Sequence, residues 1–271
     1  MDNSVTAFIG TIPEYYDRYF GPIIFEDYAV DLVRRVTVPT AGTVLEIAAG
    51  TGIVTHHLRN TLPENVKIIA TDLNESMLDY AQTKFNNQQN IEFQPADATE
   101  LSFRSASIDT VISQFSLMFF QDKQIAIEEI ARILKPGGEF IFNIWDSFEH
   151  NHLLQSVNQA LIGVYPDNPP SFFDIPYGYY KIDKIKDLLD LAGFGGIEIS
   201  ILPGVSQSKT ARQVALATIL GTPASIQIAE RGEIEVDRVV DIVEEAISAK
   251  YGPTSVAAKM QAIVFKACKP G

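Results

Sequence analysis

Residues 44–52 read VLEIAAGTG. An apolar, strand-like run breaks into Gly50 and Gly52, and a helix-forming stretch follows. Glycine lets backbone approach a ligand closely and takes turns that other residues resist. The first turn of the following helix presents free N–H groups. Twenty residues beyond Gly52 stands Asp72, closing a second apolar run, VKIIAT. A carboxylate there accepts hydrogen bonds from both hydroxyls of a ribose. Asp97-Ala98 closes a third run. A carboxylate followed by a free backbone N–H reads the edge of an adenine. Each feature has a plainer explanation when taken singly: a strand-to-helix turn, a helix cap, a solvated loop acid. Asn74, however, fits the capping role better than Asp72.

Two nucleotide chemistries separate on the same residues. Dinucleotide sites want G-x-G-x-x-G, with the pyrophosphate on the helix N-terminus. Here the register from Gly50 ends on Thr55, so the last glycine is missing. Glu46 also stands just ahead of the loop. Its charge repels a pyrophosphate and suits an ammonium group. A ligand with one adenosine, an amino-acid head and no phosphate, such as S-adenosylmethionine, meets both demands.

These residues need strands to carry them. Segments 43–48, 66–71, 91–94, 108–113 and 139–145 read as strands. Helices are expected after the glycine loop, from Asn74 onward, and over 124–134, the last closed by Lys135-Pro136-Gly137-Gly138. Further along, 181–192 reads as a helix and 197–202 and 260–267 as strands, with a mainly helical insertion at 205–255. Strands alternating with helices imply βαβ units joined by right-handed crossovers. The expected fold is α/β: a Rossmann-like, mostly parallel seven-stranded sheet with helices on both faces. One domain over 1–271 is expected, with a cofactor-binding core at 41–146. Residues 1–40, 147–180 and 205–255 would be caps over the substrate side. Ligands of such sheets bind at the carboxyl ends of the strands, near the switch point.

Composition narrows the partners. The 271 residues carry 21 Lys+Arg against 34 Asp+Glu, a net charge of −13. That sign opposes a broad nucleic-acid face and an anionic membrane surface. Cys268 is the sole cysteine, which excludes an internal disulfide and a cysteine zinc site. The start of the chain lacks a secretory signal pattern, and no run of about 18 apolar residues occurs. A cytoplasmic protein with a small-molecule partner and no metal is expected, and a homodimer is left open.

Five motifs in order, VLEIAAGTG, IIATDLNESML, PADATELSF, IDTVISQFSLMFF and LKPGGEF, resemble the class I S-adenosylmethionine-dependent methyltransferases. The likeness is greatest to their ubiquinone/menaquinone-biosynthesis subgroup and covers about residues 40–145. It implies a methyl donor, S-adenosylmethionine, and in-line transfer to a small, partly apolar organic acceptor. Glu46 would contact the methionine amino group, while Ala48, Gly50, Thr51 and Gly52 would line the methionine portion. Asp72 would bind the ribose, Leu73 and Met77 would flank the adenine, and Asp97 with Ala98 would read its edge. Gln114 would lie beside the amino-acid head. Ala48 departs from the family, which often has glycine there.

Such transfer needs alignment and exclusion of water more than a fixed catalytic side chain. A base is required only where the acceptor must lose a proton. His150 and His152 are the candidates, set against a plainer reading as loop residues. His56 and His57 read as ordinary helix residues. Tyr16 and Tyr19 would close over the cofactor, or pack a capping helix. The apolar run 115–120 would floor an acceptor pocket or pack on the sheet. The acidic stretch 230–245 reads as a solvated helix face. An NAD-linked oxidoreductase, or a cofactor-binding protein without turnover, are the rival readings.

Overall fold

The structure is a computed structural model and describes residues 7–37, 41–85 and 90–271. The chain divides into two compact units. A core unit holds Tyr28–Ile144, Tyr180–Leu202 and Ile263–Gly271, and a helical unit holds Met1–Asp27, Trp145–Tyr179 and Pro203–Ala262.

The order of elements begins with α1 (Ile12–Tyr15), a π-helical stretch (Tyr16–Phe25) and α2 (Glu26–Arg34). There follow β1 (Gly42–Ile47), α3 (Ile53–Thr61), β2 (Val66–Asp72), α4 (Glu75–Lys84) and β3 (Ile91–Pro95). Next come β4 (Ile108–Gln114), α5 (Lys123–Ile133), β5 (Leu134–Trp145), α6 (His152–Val164) and α7 (Asp174–Gly178). The chain ends with α8 (Ile182–Leu191), β6 (Gly195–Thr210), α9 (Ala211–Ile219), α10 (Ala224–Arg231), α11 (Val236–Tyr251) and β7 (Thr254–Cys268).

The seven strands lie in the order β3-β2-β1-β4-β5-β7-β6. The first five are parallel. Order runs outward from β1 on one side and from β4 on the other, so the switch point lies between these two. Both strands are apolar because helices cover both faces of the sheet. Leu45, Ile68, Val111 and Ile112 are buried, and Phe142 stacks on Phe265 at 4.9 Å. β7 runs against β5, since Gly137 and Gly138 exchange backbone bonds with Lys269 while Asp146 bonds Gln261.

Three expectations need correction. Helix α5 ends at Ile133, and Lys135-Pro136-Gly137-Gly138 belongs to β5 rather than to a turn. Ile108 pairs with Leu134 but Thr110 with Glu139, so these residues form a bulge. The segment 205–255 is not simply helical, because β6 continues to Thr210 and β7 begins at Thr254. The strand expected over 197–202 is longer at both ends, and Pro203-Gly204 lies inside it. The N-terminal segment holds a ten-residue π-helix around Pro22, whose missing N–H disrupts ordinary helical bonding.

The helical unit has an aromatic core of its own. Tyr16 stacks on Phe25 at 5.0 Å, Phe25 approaches Trp145 at 6.1 Å, and Tyr177 stacks on Phe148 at 4.7 Å. In α11, Val239, Val240, Val243 and Ile247 are buried while its acids face outward, as the sequence pattern requires. Among the described residues, no helix is long and apolar enough to cross a membrane.

Candidate functional site

The loop after β1 is built from left-handed backbone. Ala48, Gly50 and Gly52 have φ of +57°, +55° and +82°. The loop is pinned to β2 by the Ala49 N–H, which donates to Thr71 O at 2.8 Å. The two glycines serve different ends. A side chain at Gly52 would strike the Phe85 ring at 2.8 Å, so this glycine lets α3 pack on α4. A side chain at Gly50 would meet only the Met77 methyl at 3.5 Å, so the space beside Gly50 is open to a ligand. Ala48 keeps the conformation that glycine would hold at lower cost.

Two carboxyl groups flank this loop. Glu46, on β1, is 2% exposed, and the Thr55 hydroxyl donates to its Oε2 at 2.5 Å. Burial pushes its pKa up from 4.5 to about 8; the Thr55 bond opposes this, and Asp72 adds to it. Asp72, ending β2, is also buried. Its Oδ2 accepts the Gly50 N–H and its Oδ1 the Asn74 N–H, each at 2.8 Å. Burial pushes its carboxyl up even against these two bonds. Asn74 occupies the cap position of α4, but its side chain makes no cap bond; it turns back toward Asp72 at 3.4 Å. Asp72, not the Asn74 side chain, thus secures the start of that helix.

The remaining residues gather at the same strand ends. Leu73, next to the buried Asp72, is 61% exposed. Met77 is buried on α4. The Ala96 N–H donates to Asp72 O at 3.0 Å, which ties the loop after β3 to Asp72. Asp97 is exposed and its Oδ1 accepts both the N–H and the hydroxyl of Thr99; Ala98 is buried. On the other side of β1, the Ser113 hydroxyl donates to Ile47 O at 2.6 Å, and Gln114 follows it. Glu46, Ala48, Gly50, Thr51, Gly52, Asp72, Leu73, Asp97, Ala98 and Gln114 therefore belong to the carboxyl ends of the core strands and the loops that follow them, and Met77 to the first turn of α4.

Tyr16, Tyr19, His150 and His152 belong to the helical unit. Tyr16 packs among Phe8, Phe20 and Phe25, and Arg18 lies over the Tyr19 ring. His150 Nδ1 lies 3.3 Å from Lys259 Nζ, and His152 Nε2 lies 3.1 Å from Glu149 O. His56 meets Asn60 on the surface of α3. The run after Gln114 holds a single 3₁₀ turn, Leu117–Phe119, with Phe115, Ser116, Leu117 and Met118 buried.

Sequence reasoning missed Thr55, Ser113 and Asn143. Thr55 stands where a dinucleotide motif has its last glycine, and that displacement was its signal. The two others act through partners on neighbouring strands, which spacing along the chain does not reveal. Three buried polar atoms of this region, Thr51 Oγ1, Gln114 Oε1 and Asn143 Nδ2, have no hydrogen-bond partner.

These residues fit an adenosyl amino acid. A dry carboxyl at Glu46 calls for a cation, Gly50 leaves open space, and Leu73 offers an exposed apolar surface beside Asp72. They fit a dinucleotide less well, because Thr55 replaces the last glycine of that motif and spends its hydroxyl on Glu46. Among the described residues, no cluster of three or more His, Cys, Asp or Glu could hold a metal ion.

Comparison with known proteins agrees. Residues 45–142 match the family described as a methyltransferase domain. A demethylmenaquinone methyltransferase of Lactococcus lactis is 31% identical over 147 residues, 52% of this chain and 58% of that protein. A ubiquinone/menaquinone biosynthesis C-methyltransferase of Escherichia coli is 34% identical over 118 residues, 41% of this chain and 47% of that protein. The chain spans about half the length of the curated relatives it matches. The crystal structure of YcgJ from Bacillus subtilis shares the fold, with a TM-score of 0.60 and 18% identity, over 90% of this chain and 99% of that one. Strand order, the loop after β1 and the matched segment agree: residues 45–142 match a methyltransferase domain, and the chain resembles the class I S-adenosylmethionine-dependent methyltransferases of the ubiquinone/menaquinone-biosynthesis subgroup.

Proposed function

We propose that this protein transfers a methyl group from S-adenosylmethionine to a small, partly apolar organic acceptor. The observation that carries the reading is the buried Glu46 carboxyl, held up to about 8, at the mouth of a loop tied to Asp72. When bound, S-adenosylmethionine supplies a methyl group activated on a sulfonium. Glu46 takes the ammonium of its head group, and Ala48, Gly50, Thr51 and Gly52 line the methionine portion. Asp72 accepts from the ribose hydroxyls, Leu73 and Met77 hold the adenine, and Asp97 and the Ala98 N–H read its edge. The Gln114 backbone lies beside the amino-acid head. The protein's contribution is alignment of the acceptor and exclusion of water.

A ring of the quinone type is the proposed acceptor class. The names of the two curated relatives support it, as does the aromatic density of residues 147–180. Residues 1–40, 147–180 and 205–255 are proposed as caps of one methyltransferase domain, with Tyr16 and Tyr19 serving the cofactor. The proposal includes a cytoplasmic setting, a homodimer and no nucleic-acid partner; the charge of −13 supports the last. Where the acceptor must lose a proton, His150 and His152 are the proposed bases. Replacing both by Ala should then stop turnover of acceptors that need deprotonation and spare affinity for S-adenosylhomocysteine; undiminished turnover would exclude them.

Thermal unfolding with S-adenosylhomocysteine, S-adenosylmethionine or NAD⁺ tests the cofactor. A ligand at about 100 times its Kd adds roughly 2.7 kcal/mol, a shift of about 5–10 °C for a chain of this size. Both adenosyl ligands should produce it and NAD⁺ should not; the reverse pattern overturns the proposal. Limited proteolysis of the same samples tests the caps, which should be protected by the adenosyl ligands. Equal cleavage with and without them removes the cap reading.

A further inference from the structure

Gln114 ends β4 and Asn143 lies near the end of β5, and they are in-register partners of a parallel pair. In-register partners project from the same face of a sheet, on backbones about 4.8 Å apart. Their side-chain amides therefore stand next to each other. Gln114 Oε1 and Asn143 Nδ2 are both buried and are bonded neither to each other nor to any other group. Asn143 is 1% exposed. Its orientation is set by the protein: Oδ1 accepts the Phe115 N–H at 2.9 Å, so the unpartnered half of the amide is the donor. Phe115 itself has φ of +50°, a costly conformation for a bulky residue, and this bond helps to hold it.

The sheet thus presents one buried acceptor beside one buried donor. Such groups are ordinarily completed by a partner. A carbonyl or ether oxygen completes only Asn143, and an ammonium completes only Gln114. A hydroxyl completes both, because its O–H donates to Gln114 Oε1 while its oxygen accepts from Asn143 Nδ2. We propose that Gln114 and Asn143 are specificity-determining residues that read a hydroxyl group on the methyl acceptor. The inference rests on the methyl-transfer reading above. It gives the Gln114 side chain to the acceptor, while its backbone stays with the cofactor. It also commits the enzyme to the reduced, hydroxyl-bearing form of a quinone-type ring over its ether or keto counterparts.

The test compares 1-naphthol with 1-methoxynaphthalene, binding to the full-length protein saturated with S-adenosylhomocysteine, by calorimetry. The ether keeps the oxygen and loses the donor, with one methyl group added. Wild type should favour the naphthol by roughly ten-fold or more, because sites built around a ligand hydroxyl discriminate strongly against its absence. Asn143→Asp keeps the oxygen that accepts from Phe115 and replaces the donor by an acceptor. Gln114→Leu removes the neighbouring acceptor. Gln114→Leu should bring the preference below about three-fold; Asn143→Asp should weaken 1-methoxynaphthalene by roughly ten-fold, because an acceptor now faces its oxygen, and leave the preference intact, because the naphthol can turn its O–H to either acceptor. A preference that survives in Gln114→Leu, or ether affinity undiminished in Asn143→Asp, overturns the inference, as does failure of wild type to bind or to distinguish the two compounds. If Asn143→Asp loses S-adenosylhomocysteine affinity to the same degree, the residue serves the cofactor and the inference also falls. Failure of wild type to bind S-adenosylhomocysteine is a separate outcome, which strikes the methyl-transfer reading itself.

Discussion

Glu46→Gln is expected to make the protein more stable in the absence of ligand and far weaker as a binder of S-adenosylhomocysteine. The carboxyl titrates near 4.5 when free and near 8 in the fold, where burial disfavours its charge. The folded chain therefore keeps a proton there that the unfolded chain releases. Linkage makes native stability complete below about 4.5 and progressively weaker as pH rises, until the full penalty is reached above about 8. The side chain is buried, so little solvent screening reduces the effect. Gln carries no such penalty and still accepts from Thr55. At about pH 8.5 the variant should gain on the order of 3 kcal/mol, or roughly 6–12 °C in Tm, and near pH 4 it should match wild type. Melting curves across that range decide the matter; equal Tm values at both ends would mean that Glu46 is solvated in the fold.

Binding should carry the opposite signature. An ammonium-bearing ligand needs the carboxylate, so below about 8 its binding must expel the proton from Glu46. Wild-type affinity should then rise by nearly ten-fold per pH unit up to that point. Calorimetry in buffers of different ionisation enthalpy should register release of close to one proton per ligand near pH 7. The variant should release none, show a flat profile, and bind more weakly by about ten- to hundred-fold at pH 8. A flat wild-type profile would separate Glu46 from the ammonium. A group that costs stability and serves a ligand is the pattern of a functional site rather than of a structural ion pair.

The sequence was most informative where a property belongs to one short stretch. The turn at Gly50 and Gly52, the strand-end acids Glu46 and Asp72, and the parallel core could all be read along the chain. It was least informative where the decisive partner comes from elsewhere. Asn143 looks like one polar residue in an apolar strand; its significance comes from its register against Gln114 and from the Phe115 N–H. Lys135-Pro136-Gly137-Gly138 has the composition of a turn. It is a bulge because β4 and β7 are there to pair with the strand on each side. The strand read over 197–202 likewise continues through Pro203-Gly204 to Thr210. Asn74 has the residue type of a cap, but Asp72 lies close enough to draw its side chain away.

That proximity sets the second large effect, at Asp72. Its two oxygens are already divided between two backbone donors, Gly50 N–H and Asn74 N–H. Asparagine matches its shape but has only one oxygen. Whichever way the amide turns, its NH₂ faces a backbone N–H, and either the loop after β1 or the start of α4 is released. Asp72→Asn should therefore destabilise the protein by about 1–3 kcal/mol, the cost of a buried group left unpaired. It should also weaken S-adenosylhomocysteine binding by roughly ten- to hundred-fold, since hydrogen bonds to a charged group are worth about 1.5–3 kcal/mol. Two causes contribute to that loss, a displaced loop and a lost ribose acceptor, and the 2′-deoxy analogue of S-adenosylhomocysteine separates them. Displacement of the loop weakens both ligands alike. Loss of the ribose acceptor weakens the parent more, because the analogue has one hydroxyl fewer to lose. A wild-type preference for the parent that disappears in Asp72→Asn would give Asp72 both tasks at once. Equal losses for the two ligands would leave it as the anchor of the loop alone, and the ribose contact would have to come from another residue.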